Sequence, residues 1–407
     1  MNTKQATLKL VQFNSEPCGF PKPRVSPLPD RFRFPTSVES YSQLFQRKVP
    51  GQYRHFARGR YAMGEAYRLA GVGAEGALLA PAYHCISMLD PAVSLGAEIQ
   101  LYPLKSDLAP DLEKLEILLA NYGKTVRALL AVHFFGFPQD FGELRQWCEK
   151  QQIVLVEDCS HVLFTERFRA AGTGVYGRFA IASPYKFFPS ADGGLLFSPE
   201  EQIFAGVITH SGGLARELRG AKHTIEKCRL SNAKSFDTDA IDKELEALGN
   251  KLVVEGGEQI AEYSRPSFFY ISADKKTRAL HSSRFVVRVS AIDEIISARR
   301  RNFERWANAV SGLPNCYAPF AKLPQSCVPY MFPLYIEQVN PHFYWLKHLG
   351  VPVWRWDEIA ISDCAIAQDY RLHLLHLPCH QSLTDAELNW MIVTLQTILR
   401  YSAKGAK

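Results

Sequence analysis

The feature that most restricts the fold is a set of short apolar runs separated by stretches of helical spacing. Ala77–Ala80, Ala97–Tyr102, Val126–Val132, Ile153–Val156, Arg178–Ala182 and Leu195–Phe197 are such runs. Between them, Tyr61–Ala70, residues 85–95, Leu112–Asn121 and Phe141–Lys150 carry apolar residues at helical intervals; Leu112, Leu115, Leu118 and Leu119 share one face. A run without polar alternation suits a strand buried on both sides. That happens when helices cover both faces of a mostly parallel sheet, so the expected class is α/β. In such sheets ligands bind beyond the carboxyl ends of the strands. The polar residues just past the runs are Tyr83 and His84, His133, Asp158 and His161, and Ser183 and Lys186.

The rest of the chain divides around this core. Residues 1–55 hold prolines at 17, 21, 23, 27, 29 and 35, which break helices, together with Phe13, Phe20, Phe32 and Phe34. An arm or cap packed on the body is expected there. Residues 56–285 form the expected large domain, with a polar, mostly helical pattern over 200–265. From 286 to 407 the style changes: a long helix near Ala291–Ser311 opens a smaller α+β domain.

Composition narrows the partners. A net charge of +6 over 407 residues is mild. The densest basic run, Arg299-Arg300-Arg301, reads as a solvated helix face. No basic stripe interleaved with aromatics marks a nucleic-acid surface. The nine cysteines include no Cys-x-x-Cys pair, so no structural metal site is expected. Scattered thiols, no signal-like apolar segment near Met1 and no membrane-length apolar stretch point to the cytoplasm.

Two segments carry chemistry. In Ile153-Val154-Leu155-Val156-Glu157-Asp158-Cys159-Ser160-His161 an apolar strand delivers an acid to its end. An aspartate beside a pyridine nitrogen keeps that nitrogen protonated, which pyridoxal phosphate needs to act as an electron sink. In Phe179-Ala180-Ile181-Ala182-Ser183-Pro184-Tyr185-Lys186 a lysine follows a buried strand among aromatics, with Gly193-Gly194 soon after. A desolvated lysine gives up its proton readily and suits an imine-forming nucleophile. Ser183 is placed to bond a phosphate. Taken singly each residue also has a plainer use: Asp158 as a helix cap or turn acid, Lys186 as a surface lysine, His161 and His133 as core histidines. Val353-Trp354-Arg355-Trp356-Asp357 reads as an anion clamp or as a packed corner holding an ion pair.

Together the segments resemble the DegT/DnrJ/EryC1/StrS family of aminotransferases, best over residues 57–200. His133-Phe134-Phe135-Gly136-Phe137-Pro138-Gln139-Asp140 is similar to the family's His-x-x-Gly-x-x-x-Asp segment. Glu157-Asp158-Cys159-Ser160-His161 is similar to its Glu-Asp-Ala-Ala-His/Gln segment, and Lys186 stands at the family's spacing before Gly193-Gly194. The sequence departs from the family in having Arg58-Gly59-Arg60 for Ser-Gly-Thr and Ala191-Asp192-Gly193-Gly194 for Gly-Glu-Gly-Gly, and no counterpart of the Asn-Tyr-Arg loop is evident.

The resemblance implies a fold-type I enzyme with a mostly parallel seven-stranded sheet and pyridoxal phosphate as cofactor. Lys186 is then the catalytic residue that holds it as a Schiff base. Asp158 pairs with its ring nitrogen, His161 lies near its phenolic oxygen, and Ser183, Gly59 and Arg60 bind its phosphate. A helix beginning at Gly59 offers N–H groups to a phosphate in its own right. His84 is the candidate to cover the ring. The implied reaction moves an amino group from glutamate or glutamine to a keto or aldehyde group of a sugar or natural-product-like acceptor. Elimination, racemisation or carbon–carbon bond formation, or a non-catalytic binding role, are the alternatives. A homodimer with interfacial sites is expected.

Overall fold

The computed structural model describes residues 8–32, 53–165, 169, 172–229, 236–249 and 256–405. Phe34 and Pro35 of the arm lie outside them. Thirteen strands are described: β1 (Leu8–Asn14), β2 (Tyr53–Phe56), β3 (Ala77–Pro81), β4 (Ile99–Tyr102), β5 (Val126–Val132), β6 (Val154–Asp158), β7 (Phe179–Ala182), β8 (Gly194–Phe197), β9 (Gly257–Tyr263), β10 (Cys316–Tyr317), β11 (Met331–Ile336), β12 (Ile359–Ala360) and β13 (Leu374–Pro378). The helices that cover them begin with α1 (Gly59–Leu69), α2 (Ile86–Ser94), α3 (Leu112–Tyr122) and α4 (Gly142–Lys150). They continue with α5 (Leu214–Arg229), α6 (Ile241–Gly249), α7 (His281–Val289), α8 (Ile292–Val310), α9 (Val339–His348), α10 (Ala365–His373) and α11 (Asp385–Gly405).

Seven strands make one sheet in the order β2-β8-β7-β6-β5-β3-β4. β3 through β7 pair in parallel, and β8 alone runs against them, pairing antiparallel with β7 on one side and with the edge strand β2 on the other. Every residue of β3 and β7 is buried, as their unbroken apolar runs require. The helices between them are one-sided. In α3, Leu115 is fully buried while Ile117 faces solvent; Asp111 caps the start by accepting the Lys114 N–H, and Gly123, at φ 68°, ends it.

The smaller unit packs α8, α9 and α11 against a three-stranded sheet, β10-β11-β13, around Trp306, Phe332, Leu346 and Trp390. Two sequence expectations change here. Residues 200–265 hold the helices α5 and α6 but also the strand β9, and β9 pairs along its length with β1 of the arm. The arm thus supplies the middle strand of a third sheet, β12-β1-β9. Its composition pointed only to packing, because the pairing partners lie hundreds of residues away.

The basic run is the second change. Arg301 is exposed, but Arg299 is fully buried and Arg300 donates to the carbonyls of Pro324 and Cys327. Successive residues on a helix point about 100° apart, so an unbroken charge run spans both faces of α8. No helix among the described residues is long and apolar enough to cross a membrane.

Candidate active site

The site grows from the carboxyl ends of β6 and β7. Asp158 is the last residue of β6, in register with Val132 on one side and Ile181 on the other. It is buried, and its Oδ1 accepts the Ser160 N–H at 2.8 Å. Ser183 follows β7 and donates its hydroxyl to Ser160 Oγ at 3.0 Å. The first turn of α1 sits over this pair. A Cβ on Gly59 would lie 2.1 Å from Ser183 Oγ and 3.5 Å from Ser160 Oγ. A Cβ on Gly194 would lie 2.3 Å from the Arg58 carbonyl and 2.7 Å from the Gly59 nitrogen. Both glycines are therefore needed for helix, hydroxyls and β8 to meet. Helix geometry leaves the Gly59 and Arg60 N–H groups without intrahelical acceptors, while the Tyr61 N–H bonds the Arg58 carbonyl, and free N–H groups at a helix start are suited to an anion. Tyr67 of α1 donates its hydroxyl to the Met88 carbonyl at 3.1 Å, and its phenol is pushed up by burial and further by the Asp158 charge.

Lys186 ends a short 3-10 turn, Pro184–Lys186, that follows β7. Its Nζ lies 5.4 Å from the ring centroid of Tyr330, and Tyr330 stacks on His161 at 4.5 Å. His161 is buried, and its pKa is driven well below the ordinary histidine value by burial, then by the charges of Lys186 and His376. Its Nδ1 accepts the Phe135 N–H at 3.4 Å, which puts the proton of the neutral ring on Nε2. Phe135 does this from a left-handed conformation, φ 56°, unusual for a bulky residue, while its carbonyl accepts the Tyr330 N–H at 2.8 Å. Gly136 next to it, at φ 102°, has no room for a Cβ, which would meet the Val328 carbonyl at 2.4 Å. The turn after β5 thus fastens His161 to the small-unit residue Tyr330.

The geometry brings Asp158, Ser183, Gly59, Lys186 and His161 into one linked cluster. It does not bring the other two candidate side chains there. His84 is fully buried, with Nδ1 on the Pro81 carbonyl at 2.9 Å and Nε2 on the Ala360 N–H at 3.0 Å. It ties the turn after β3 to β12 through both ring nitrogens. The Arg60 guanidinium turns away and donates to the Phe269 carbonyl at 2.8 Å; only its backbone belongs to the anion corner.

His133 is also bonded through both ring nitrogens. Its Nε2 meets Glu157 at 2.8 Å and its Nδ1 accepts the Gln139 N–H at 2.9 Å. Glu157 also accepts the N–H groups of Gly174, Tyr176 and Gly177. The Arg355 side chain pairs with Asp357 at 3.2 Å and lies 3.8 Å from the Phe343 ring centroid, which makes it a packed corner. Trp356 instead joins the site, 5.6 Å from His161 and 4.9 Å from Tyr83, whose hydroxyl meets His376 at 3.0 Å. Tyr330, Trp356 and His376 come from beyond the large sheet, and no local pattern in the sequence marked Tyr330 or His376. Ser160 was legible as a polar residue two positions past a strand. Ser183, Gly193 and Gly194 also line a cavity of about 420 Å³ with His55 and Arg284; Asp158 and Lys186 do not line it.

Comparison with known proteins agrees with this architecture. The model of the DegT/DnrJ/EryC1/StrS aminotransferase family matches residues 56–235. A UDP-4-amino-4,6-dideoxy-N-acetyl-beta-L-altrosamine transaminase of Campylobacter jejuni is 24% identical over 324 residues, 77% of each chain. Among solved structures, Helicobacter pylori PseC, an aminotransferase involved in pseudoaminic acid biosynthesis, aligns with a TM-score of 0.58 at 13% identity over 95% of this chain and 100% of that one. A DegT DnrJ EryC1 StrS aminotransferase from Brucella abortus aligns with a TM-score of 0.58 at 15% identity, covering 85% and 86%. The family model thus matches the part of the chain that holds the large sheet, the full architecture is shared with these structures, and the protein is a transaminase that resembles the DegT/DnrJ/EryC1/StrS aminotransferases.

Proposed function

We propose that this transaminase uses pyridoxal phosphate to move an amino group from glutamate or glutamine to a keto group of a sugar. The observation that carries the cofactor assignment is the convergence of one carboxylate, two hydroxyls, a helix N-terminus and one lysine at the ends of β6 and β7. The donor set fits the group. Gly59, Ser160, Ser183 and the α1 N-terminus form a phosphate seat that a Cβ would fill. Asp158 is the buried acid for a ring nitrogen, and the Lys186 amine is the covalent anchor. When bound, pyridoxal phosphate supplies an electron sink that stabilises negative charge on the amine-bearing carbon.

The chain's own groups do the rest. Asp158, fixed by the Ser160 N–H, holds a negative charge where a pyridinium needs one. Lys186 Nζ, once free, is the base that takes a proton from the substrate carbon and returns it elsewhere. His161, held neutral, offers an Nε2–H donor without adding a second positive charge near Lys186. The buried Tyr330 and the partly buried Trp356 shield this side of the site from water, which strengthens each of these interactions.

The sugar acceptor rests on the Campylobacter relative, named as a UDP-sugar transaminase. Two copies pairing across the site are part of the same reading. Phe268, Phe269, Ile271 and Leu214 are exposed apolar side chains, and Phe269 is bound to Arg60 at the start of α1. Nine free thiols suit a reducing cytoplasm.

The test is spectroscopic. Purified protein loaded with pyridoxal phosphate is mixed with glutamate, then with glutamine, and its visible absorbance is followed; a keto-sugar nucleotide is then added. Bleaching by the donor and recovery with the acceptor are expected. No change with either donor would remove the proposed donors, and recovery only with non-sugar ketones would remove the sugar acceptor. Light scattering that gives a single-chain mass would remove the dimer.

A further inference from the structure

The turn that carries Lys186 ends in carbonyls that it cannot satisfy itself. Within it, Lys186 N–H bonds Ser183 O, and the N–H groups of Phe187 and Phe188 bond Pro184 O. The carbonyls of Lys186 and Phe187 point out of its carboxyl end, as last-turn carbonyls do. Both are taken by side chains of the small unit. Arg299 of α8 donates an Nη2–H to the Lys186 carbonyl at 3.0 Å, and Gln381 donates its amide to the Phe187 carbonyl at 2.6 Å. The two side chains are also joined, Arg299 Nε–H to Gln381 Oε1 at 2.9 Å.

Arg299 reaches further. Its Nη1 donates to the carbonyls of Pro329 and Tyr330, at 3.0 and 3.2 Å, and its guanidinium lies 4.5 Å from the Phe187 ring centroid. It is fully buried and makes no ion pair with a carboxylate among the described residues. Burial pulls its pKa down to about 10, so it remains a cation at neutral pH. Burying such a charge costs several kcal/mol. Here four oxygens in a planar fork and an aromatic face offset that cost. A lysine has one compact ammonium and cannot span the same acceptors.

We propose that Arg299, with Gln381, is the positioning device for the active-site lysine. One guanidinium fixes the backbone of Lys186 and the backbone of Tyr330, the residue whose ring faces the Lys186 amine. The lysine's place is thus set from the small unit, through α8, and not only by β7. This proposal rests on Lys186 as the cofactor-binding residue.

The test reads the lysine directly. Full-length protein is incubated with pyridoxal phosphate and reduced with borohydride at timed intervals, and the pyridoxyl label on the Lys186 peptide is measured by mass spectrometry. Arg299→Met is expected to slow labelling about tenfold or more, since a shift near 1 Å can cost as much as ~100-fold. Arg299→Lys is expected to recover part of that loss, and Gln381→Leu to slow labelling a few-fold. Arg300→Met removes donors from carbonyls elsewhere and is expected to label at the wild-type rate. If Arg299→Met does not fold, the Arg299→Lys and Gln381→Leu variants carry the test. Wild-type rates in both of these, or equal slowing in Arg300→Met, would overturn the positioning role. Wild-type protein that takes no label on Lys186 would overturn the cofactor reading, and this proposal with it.

Discussion

The two sides of the site are built differently. The large-sheet side is local: Asp158 and Ser160 leave β6, Ser183 and Lys186 leave β7, and Gly59 opens α1, each within a few residues of a buried strand or helix start. The small-unit side is assembled from distant places: Tyr330 ahead of β11, Trp356 between α9 and β12, and His376 on β13. The first side brings charge and hydroxyls. The second brings rings and a neutral histidine, and the fully buried cation Arg299 is spent there on backbone carbonyls and Gln381. Under the proposed function, the difference teaches that one half would supply the reacting groups and the other would set their surroundings and position.

Substitutions can break that division, and the largest effect should come first. Lys186→Ala is expected to lower transaminase turnover by at least ~10³-fold and to abolish visible absorbance in the loaded protein. Asp158→Asn keeps the size and should lower turnover by about 10²-fold, measured as kcat for the half-reaction with glutamate. Gly59→Ala forces a methyl against Ser183 Oγ and should weaken cofactor retention about tenfold, read by equilibrium dialysis. Tyr330→Leu on the other side should cost only a few-fold in kcat, since a ring facing an ammonium contributes on the order of 1 kcal/mol. A Tyr330→Leu loss as large as that of Asp158→Asn would end the division between the two halves.

The smallest expected effect is on stability against pH. His84, His376 and His380 are buried; burial pulls the first down to about 4 and the other two to about 3. In the unfolded chain they titrate near ~6.5, so below that pH the unfolded state binds more protons. Stability is therefore full above about 6.5 and falls as pH drops toward 4. The melting temperature should be several degrees lower at pH 5 than at pH 7.5. Buried histidines of lowered pKa lie on both sides of the site, His84 and His161 by the large sheet and His376 and His380 in the small unit, so amide exchange should rise on both as pH falls. A melting temperature unchanged between pH 7.5 and pH 5 would contradict this.

Much of the fold was legible because the buried strands are unbroken apolar runs. β3, β5, β6, β7 and β8 fall on them within a residue or two. Asp158, Ser183 and Lys186 were legible for the same reason, since a strand end fixes where the next polar residue goes. What was hidden depends on contacts across the chain. Nothing around Arg299 tells it from the exposed Arg301; only the carbonyls of the lysine turn do. His84 looked like a ring cover from its place after β3, but the β12 N–H it binds is at position 360. β1 was hidden by the prolines that follow it, and it shows itself only by pairing with β9 and β12.

That third sheet has a consequence for synthesis. Its middle strand is made well before one edge, which waits for Ile359 and Ala360. A nascent chain therefore carries β1 with an open side until those residues have been made, a long-range pairing of the kind that forms slowly and leaves a strand edge available to other chains. Ribosome-arrested chains stopped before and after residue 360 should differ in protease resistance at β1; equal resistance would mean that β9 alone secures the strand.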